Sequence, residues 1–598
     1  MSKIKIVAIV CFAFIAISDF IAYTNPAKGY ELSIYESTPF LVWLLLILSI
    51  TGGVAIIIHQ VYTKEYKSSN FWLIGLLILI LSRMSLLYIP FIRGYYTWRG
   101  DNISHIGSVK DVLLSGHVAS DNFYPITHIL LTEIISVSGV PIELIVNHST
   151  ALFSIFYVVS TYLLATAALP KKDAQLISVA SIGGVLFNGY DAYLMPNGWS
   201  ILYLPLVFFL FIKSSKSLEY RLLLVIMLIL YPFFHPLSST MLVISLLTIG
   251  FVSVLLHIIE YKKISLNNIL HNFPITQILI VLGILLPWIL SFPQFYLNIR
   301  SLYTALTTGH SPDVITQMSA TLDKINVHGF EFVKLLIKIM GDDIIFLVLS
   351  TIAAIILLKS YKKNHKNLKN SENLIILLGI TFTIGIMYAS YLFNIIPGLG
   401  NINSQRLLAY LVLFTPIFAG FSFHHFLSKE RTHITASLCI VIIMTASIIS
   451  ILSLYPSPYI IRPNPEVTQM DMYGFEWFVD YKSRDIGCTY IMSPPYRFAD
   501  AILGDVGEDK RSDIEHYAPQ IPDHFNYIAH ERLGESYKKD RYAVITKMDK
   551  IIYDTVWRVV GRFHKEDFEK LETAETVDKL YTNRECDVWY IHANEKEM

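Results

Sequence analysis

Residues 98–134 read WRGDNISHIGSVKDVLLSGHVASDNFYPITHILLTEI. Ile103, Ile106, Val109, Leu113 and Leu114 recur at helical spacing, which predicts an amphipathic helix lying on a membrane surface. Asp101 and His105 are one turn apart and share a face near the start of that helix. Lys110 and Asp111 come further along it. Asp121, Tyr124, Pro125 and His128 then open a second helix. Segment 125–140 is apolar but short, and it is expected to lie on the surface beside the first helix rather than to cross.

On both sides of this stretch the chain is strongly apolar. Of its 598 residues 54% are hydrophobic and 16% charged, against roughly 25% charged in an ordinary soluble domain. The mean hydropathy is +0.50. A disordered chain, a coiled coil, a disulfide-rich module and a nucleic-acid binder with a basic face are all excluded. The apolar runs approach the length needed to cross a bilayer core of about 30 Å. Thirteen segments read as crossings: 4–23, 39–59, 71–92, 145–169, 174–189, 199–213, 222–234, 238–258, 273–292, 343–359, 374–396, 405–425 and 433–454. The pair 222–234 and 238–258 is broken at Pro232 and Pro236. The start MSKIK leads into an uncleaved first span rather than a signal peptide.

The loop charges orient these spans. MSKIK, TKEYK, PKK, KSSKSLEYR, EYKK, KSYKKNHKNLK and SKER all fall on one side if 125–140 does not cross. By the positive-inside rule that side is cytoplasmic. The N-terminus is then inside, and the loops 93–144 and 293–342 are outside. Residues 1–462 hold 29 Lys/Arg against 20 Asp/Glu, and residues 463–598 hold 18 against 27. The zero net charge is therefore a basic membrane body joined to an acidic region. After the linker YPSPYIIRPNP, segments CTYIM, YAVIT and DVWYIH read as strands and 466–481 as a helix. The expectation is a small extracytoplasmic α/β domain over 463–598. Cys11 and Cys439 lie in apolar runs. Cys488 and Cys586 either form one disulfide or stay free.

Several side chains carry candidate chemistry. Asp101 is either a carboxylate able to take a proton or hold a metal, or a helix cap beside Asn102. Asn102-Ile103-Ser104 also matches a glycosylation sequon. Asp191, the lone charge in NGYDAYLMPNGWS, is either a turn former or a second acid facing Asp101. His235, in YPFFHPLSS, sits where a helix starting near Pro236 offers free N–H groups to an anion. Arg300 and Arg406 are outer arginines, each a phosphate ligand or an interfacial anchor. Arg83 is deep in the third span, and Asp19 at similar depth is its expected partner. Glu31 and Glu36, in GYELSIYESTP, suggest no mechanism. There is no Walker loop, GxGxxG, HExxH, GxSxG or paired CxxC.

These residues resemble the integral membrane glycosyltransferases of the GT-C superfamily, in particular archaeal members that use polyprenyl-phosphate sugars. The resemblance rests on Asp101 within GDNISH followed by an amphipathic stretch and YP. It rests also on GYELSIYESTP, on the HPLSS break at His235, and on QRLLAYLVLFTPIFAG with Arg406. In familiar members the catalytic loop follows the first span, whereas Asp101 follows the third here.

The resemblance implies a multi-pass protein of the cell membrane acting at its outer face. A hexosyl or pentosyl group would pass from a polyprenyl-phosphate donor to a glycan, lipid or protein acceptor, with inversion. Asp101 would be the base, with Asp191 and His105 beside it. Arg406, His235 and Arg300 would hold the donor phosphate. Lys110, Asp121, Tyr124 and His128 would line the substrate site, and Asp101 with Asp191 would hold any Mg or Mn ion. A flippase for a lipid-linked glycan and a non-catalytic scaffold are the alternatives.

Overall fold

The computed structural model describes residues 3–184, 189–261, 273–308, 314–363, 371–396, 404–430, 432–504, 511, 513–514, 516 and 518–593. The approach to Arg406 over 397–403, Asn188 and most of the basic loop 359–369 lie outside them.

Apolar runs become helices because a bilayer core leaves backbone groups no partner but their own chain. Among the described residues ten helices are long and apolar enough to cross: Lys3–Thr24, Phe40–Thr63, Trp72–Ile92, Ile142–Ala168, Pro196–Lys213, Pro236–Ile259, Gly329–Ser360, Glu372–Leu392, Ser404–Lys429 and His433–Leu454. The other three expected segments are shorter helices, Lys172–Gly184, Leu218–Leu230 and Ile275–Leu290. The break at Pro232 and Pro236 is present as a short 3-10 turn over Tyr231–Phe233 between two helices. Two differences stand out. The loop 293–342 contains helices Pro293–Thr308 and Val314–Lys324, and the tenth expected span begins inside it, at Gly329. The twelfth span is interrupted at Leu413–Phe414, where the Leu413 carbonyl accepts from the Tyr157 hydroxyl.

At one end of the bundle Lys64 pairs with Asp173, and His424 lies 3.7 Å from the same carboxylate. The basic stretches around TKEYK and PKK therefore share an end. The C-terminal domain sits at the other. It is a four-stranded sheet of β3 (Gly487–Tyr490), β4 (Arg541–Thr546), β5 (Val577–Thr582) and β6 (Cys586–Ile591), in the order β3-β4-β6-β5. Strands β3 and β4 are parallel and the other pairs antiparallel. Cys488 and Cys586 are buried and form no disulfide with each other.

The domain is bound into the body rather than tethered to it. Strand β1 (Thr97–Trp98) pairs antiparallel with β2 (Glu466–Val467). Arg99 donates to the Glu466 carbonyl, Ser493 and Asp471. Helix Asp101–Ser115 packs on helix Pro495–Leu503 so closely that a Cβ on Gly107 would lie 2.3 Å from the Asp500 carbonyl. This corrects the membrane-surface reading of the first helix. Its apolar residues Ile103, Ile106 and Val109 are buried between Trp199 of the body and Phe475 and Phe498 of the domain, while Leu114 is exposed. Asn102 is buried too, donating to Thr97 and accepting from the Leu194 amide, so the sequon does not present a surface asparagine. Glu31 has a structural role: it takes a bidentate pair from Arg93 and a bond from the Tyr95 hydroxyl.

This seam is pH-sensitive. Burial pushes the Glu466 carboxyl from 4.5 up to about 9, against the partly offsetting bond from the Glu31 amide. The folded protein thus holds a proton that the unfolded chain has already lost. The stability from this group is complete below the unfolded value and disappears as pH rises through the folded one. The melting temperature of the wild type should fall as pH is raised towards about 9, and Glu466→Gln should flatten that fall. Parallel curves for the two proteins would remove Glu466 as the cause.

Candidate active site

Two N-terminal turns and one helix junction bring the polar residues together at the end that carries the domain. Gly100 takes φ +88 and turns the chain from β1 into helix Asp101–Ser115, which places Asp101 at the first helical position. Asp101 is therefore not the cap. Pro125 starts the next helix and carries His128 one turn in. Pro236 starts a third helix, with His235 just before it.

These elements surround a cavity of about 320 Å³ lined by Asp101, His105, Asp121, Tyr124, His128, His235 and Arg406. Seven of the ten expected site residues thus face one space. The other three do not. Lys110 turns to the Ile502 carbonyl of the domain. Arg300 stands exposed on helix Pro293–Thr308, which contributes Gln294 instead. Asp191 is fully buried, 2.6 Å from Arg83 Nη2 and 2.5 Å from the Ser154 hydroxyl. That also corrects the Arg83–Asp19 pair. Asp19 accepts instead from Ser85 at 2.9 Å.

Asp101 is half exposed, with Oδ1 2.7 Å from Arg497 Nη1. Arg497 belongs to helix Pro495–Leu503, so the C-terminal domain supplies one wall of the cavity. His235 stacks on Tyr124 with ring centroids 5.1 Å apart and planes 3° apart. Its Nδ1 accepts from the Leu237 amide at 3.1 Å. A ring nitrogen that accepts carries no proton, so the proton of neutral His235 is on Nε2. Burial, and secondarily Arg406, push this imidazole down to about 3. It is a neutral N–H donor at physiological pH.

A second cavity of about 280 Å³ shares Asp101, Tyr190, Met195 and Arg406 with the first. It runs between membrane helices, where Ile339, Leu408, Val412 and Leu454 line it, and Asp343, Gln405, Ser453 and Arg462 add to the polar groups that it shares with the first. Arg497, Arg462 and Asp343 were not expected. Asp343 sits in GDDIIFLV at the edge of an apolar run, which was the one available signal.

Asp101 and Asp191 do not face a common space, since Asp191 lines neither cavity and is taken up by Arg83 and Ser154. Among the described residues no group of three His, Cys, Asp or Glu is placed to hold a metal. The residues therefore do not fit an Mg or Mn ion held by that pair.

The chain is similar in structure to the archaeal oligosaccharyltransferase AglB from Archaeoglobus fulgidus, solved in complex with an inhibitory peptide and a dolichol-phosphate. The TM-score is 0.50 at 11% identity, covering 82% of this chain and 72% of that one. The fold is GT-C. ArnT from Cupriavidus metallidurans, bound to undecaprenyl phosphate, matches with TM-score 0.48 at 8% identity over 87% of this chain and 98% of that one. No family model and no curated protein matches the sequence. In this body Asp101 follows the third long helix, as the sequence indicates.

Proposed function

We propose that this protein is an inverting glycosyltransferase that takes a sugar from a polyprenyl-phosphate donor at the extracytoplasmic membrane face. One observation carries the reading: Asp101 and Arg406 stand in the shared wall of two adjoining cavities, the second of which runs between membrane helices past Ile339, Leu408, Val412 and Leu454. An amphiphile with a phosphate at the junction of its sugar and its lipid needs that arrangement. The lipid occupies the cavity between the membrane helices, and the sugar lies in the polar cavity. The AglB structure, which holds a dolichol-phosphate, and the ArnT structure, which holds undecaprenyl phosphate, have ligands of this kind. The basic stretches at the far end of the bundle support an extracytoplasmic cavity.

The chemistry follows from the side chains. Asp101, oriented by Arg497, takes the proton of the acceptor. The acceptor atom bonds to the anomeric carbon from the face opposite the phosphate, and the carbon–oxygen bond to the phosphate breaks with its electron pair. Arg406 and the Nε2–H of His235 stabilise the charge that develops on the leaving phosphate. Both are in place before the reaction, so little reorganisation is needed.

The test is binding of undecaprenyl or dolichyl phosphate to purified protein. Arg406→Met should weaken it by about 10- to 100-fold, the loss of one charge-assisted hydrogen bond of about 1.5–3 kcal/mol. Arg406→Lys should recover part of it, since a point charge replaces the planar fork. Unchanged affinity in Arg406→Met would place the phosphate elsewhere.

A further inference from the structure

The polar cavity contains a pair of buried histidines whose hydrogen-bond order is fixed by groups outside the pair. His105 Nδ1 is 3.0 Å from His128 Nε2, and His128 Nδ1 is 2.7 Å from Asn122 Nδ2. The Tyr124 backbone amide donates to Asn122 Oδ1 at 2.9 Å. A backbone N–H can only donate, so the atom of Asn122 that meets it is the oxygen, and the atom that meets His128 is the amide nitrogen. That nitrogen also only donates. His128 Nδ1 must therefore accept, and the proton of neutral His128 lies on Nε2. This proton is given to His105 Nδ1. The one proton of neutral His105 is then on Nε2, at the edge of the ring away from His128. Reversing the order would set two donors against each other at Asn122, or turn the amide over and break its bond with Tyr124.

We infer that Asn122 and His128 are positioning residues that hold His105 as a neutral Nε2–H donor in the cavity beside Asp101, where it donates to the acceptor oxygen. The inference rests on the glycosyltransferase reading for its substrate and on geometry alone for its tautomer. Burial pushes His105 down to about 4 and holds His128 well below the ordinary imidazole value, in line with two neutral rings. Among the described residues no protein group bonds to His105 Nε2, and the ring lines the cavity one helical turn from Asp101.

The pairing of an N–H donor with a carboxylate selects the acceptor. A hydroxyl oxygen gives its proton to Asp101, accepts from His105 on one lone pair and attacks with the other. A carboxamide nitrogen has no lone pair in the plane to offer, and would leave the His105 N–H without a partner. The acceptor class is therefore a hydroxyl, such as that of a saccharide, and not an asparagine side chain.

Nitrogen-15 NMR of histidine-labelled full-length protein in lipid nanodiscs reads the tautomer without any substrate. The signal that vanishes in His105→Gln should show its proton on Nε2, and an Nδ1 proton would overturn the inference. With dolichyl-phosphate mannose or glucose as donor, the shape of the substitution decides the role. His105→Gln places an amide nitrogen where Nε2 stood and should keep most of the turnover. His105→Asn places it where Nδ1 stood and should lose about 10- to 100-fold. Equal losses in the two variants would leave His105 a packing residue. Methyl mannoside should accept sugar, and an asparagine-containing peptide should not. Glycosylation of the peptide would overturn the acceptor class. Absence of transfer to either, with the Nε2 proton confirmed, would sink the enzyme reading and leave the tautomer standing.

Discussion

Replacing Asp101 by asparagine is expected to lower sugar transfer by about 10²- to 10⁴-fold, the usual range for removal of a positioned base, while the protein stays folded. The two halves of this result have separate causes. Asparagine keeps the size and a hydrogen-bonding oxygen, but cannot take the proton of the acceptor. The stability cost is small because the Asp101 side chain is 56% exposed and its partner among the described residues is the partly exposed Arg497. A pair this open to solvent contributes about 0–1 kcal/mol. Asp101 does not cap its helix, so no terminal N–H group is orphaned. Turnover and melting temperature should be measured on the same preparation. Full turnover would end the assignment of Asp101 as base. A large drop in melting temperature would make it a structural residue. Arg497→Ala, by comparison, leaves the base in place but unoriented, and its loss should be smaller.

Much of the architecture was legible in the sequence because the bilayer imposes a length on apolar runs that no soluble core does. Ten of thirteen expected segments are long helices, and the Pro232–Pro236 break falls where the prolines remove helix donors. The strands CTYIM, YAVIT and DVWYIH became β3, β4 and β6, since β-branched and aromatic residues fit a half-buried sheet. The cavity was legible for a topological reason. Asp101, Tyr124, His235 and Arg406 all sit at ends of helices on one side of the bundle, so they had few other places to meet. What stayed hidden were contacts without local period. Strands β1 and β2 have two residues each and pair across most of the chain. Arg497 reaches Asp101 only because Gly107 lets two helices approach. The apolar stripe of Ile103, Ile106 and Val109 looks the same whether lipid or protein covers it.

The partner of Arg83 shows where depth alone misleads, and its removal should have the largest effect on stability. Asp19 and Asp191 both lie near the level of Arg83, and hydropathy cannot tell which one faces it. The structure gives Arg83 to Asp191, with the two side chains 1% and 0% exposed. Ser154 completes the group, accepting from Arg83 Nε at 2.6 Å and donating to Asp191. Charges so deeply buried are tolerable only while paired, and breaking such a pair costs about 3–5 kcal/mol because the survivor stays buried and uncompensated. Asp191→Asn and Arg83→Met should each lower the melting temperature in detergent strongly. Asp19→Asn should do so far less, since its bond is to the neutral Ser85. The double substitution Arg83→Met with Asp191→Leu removes both charges at once and should recover much of the loss, because apolar side chains can replace a buried pair at little cost. This recovery separates a paired charge from two independent packing residues, whose losses would add. It also separates Asp191 from Asp101. A folded double variant should still transfer sugar, whereas a second catalytic acid at Asp191 would leave the rescued protein inactive.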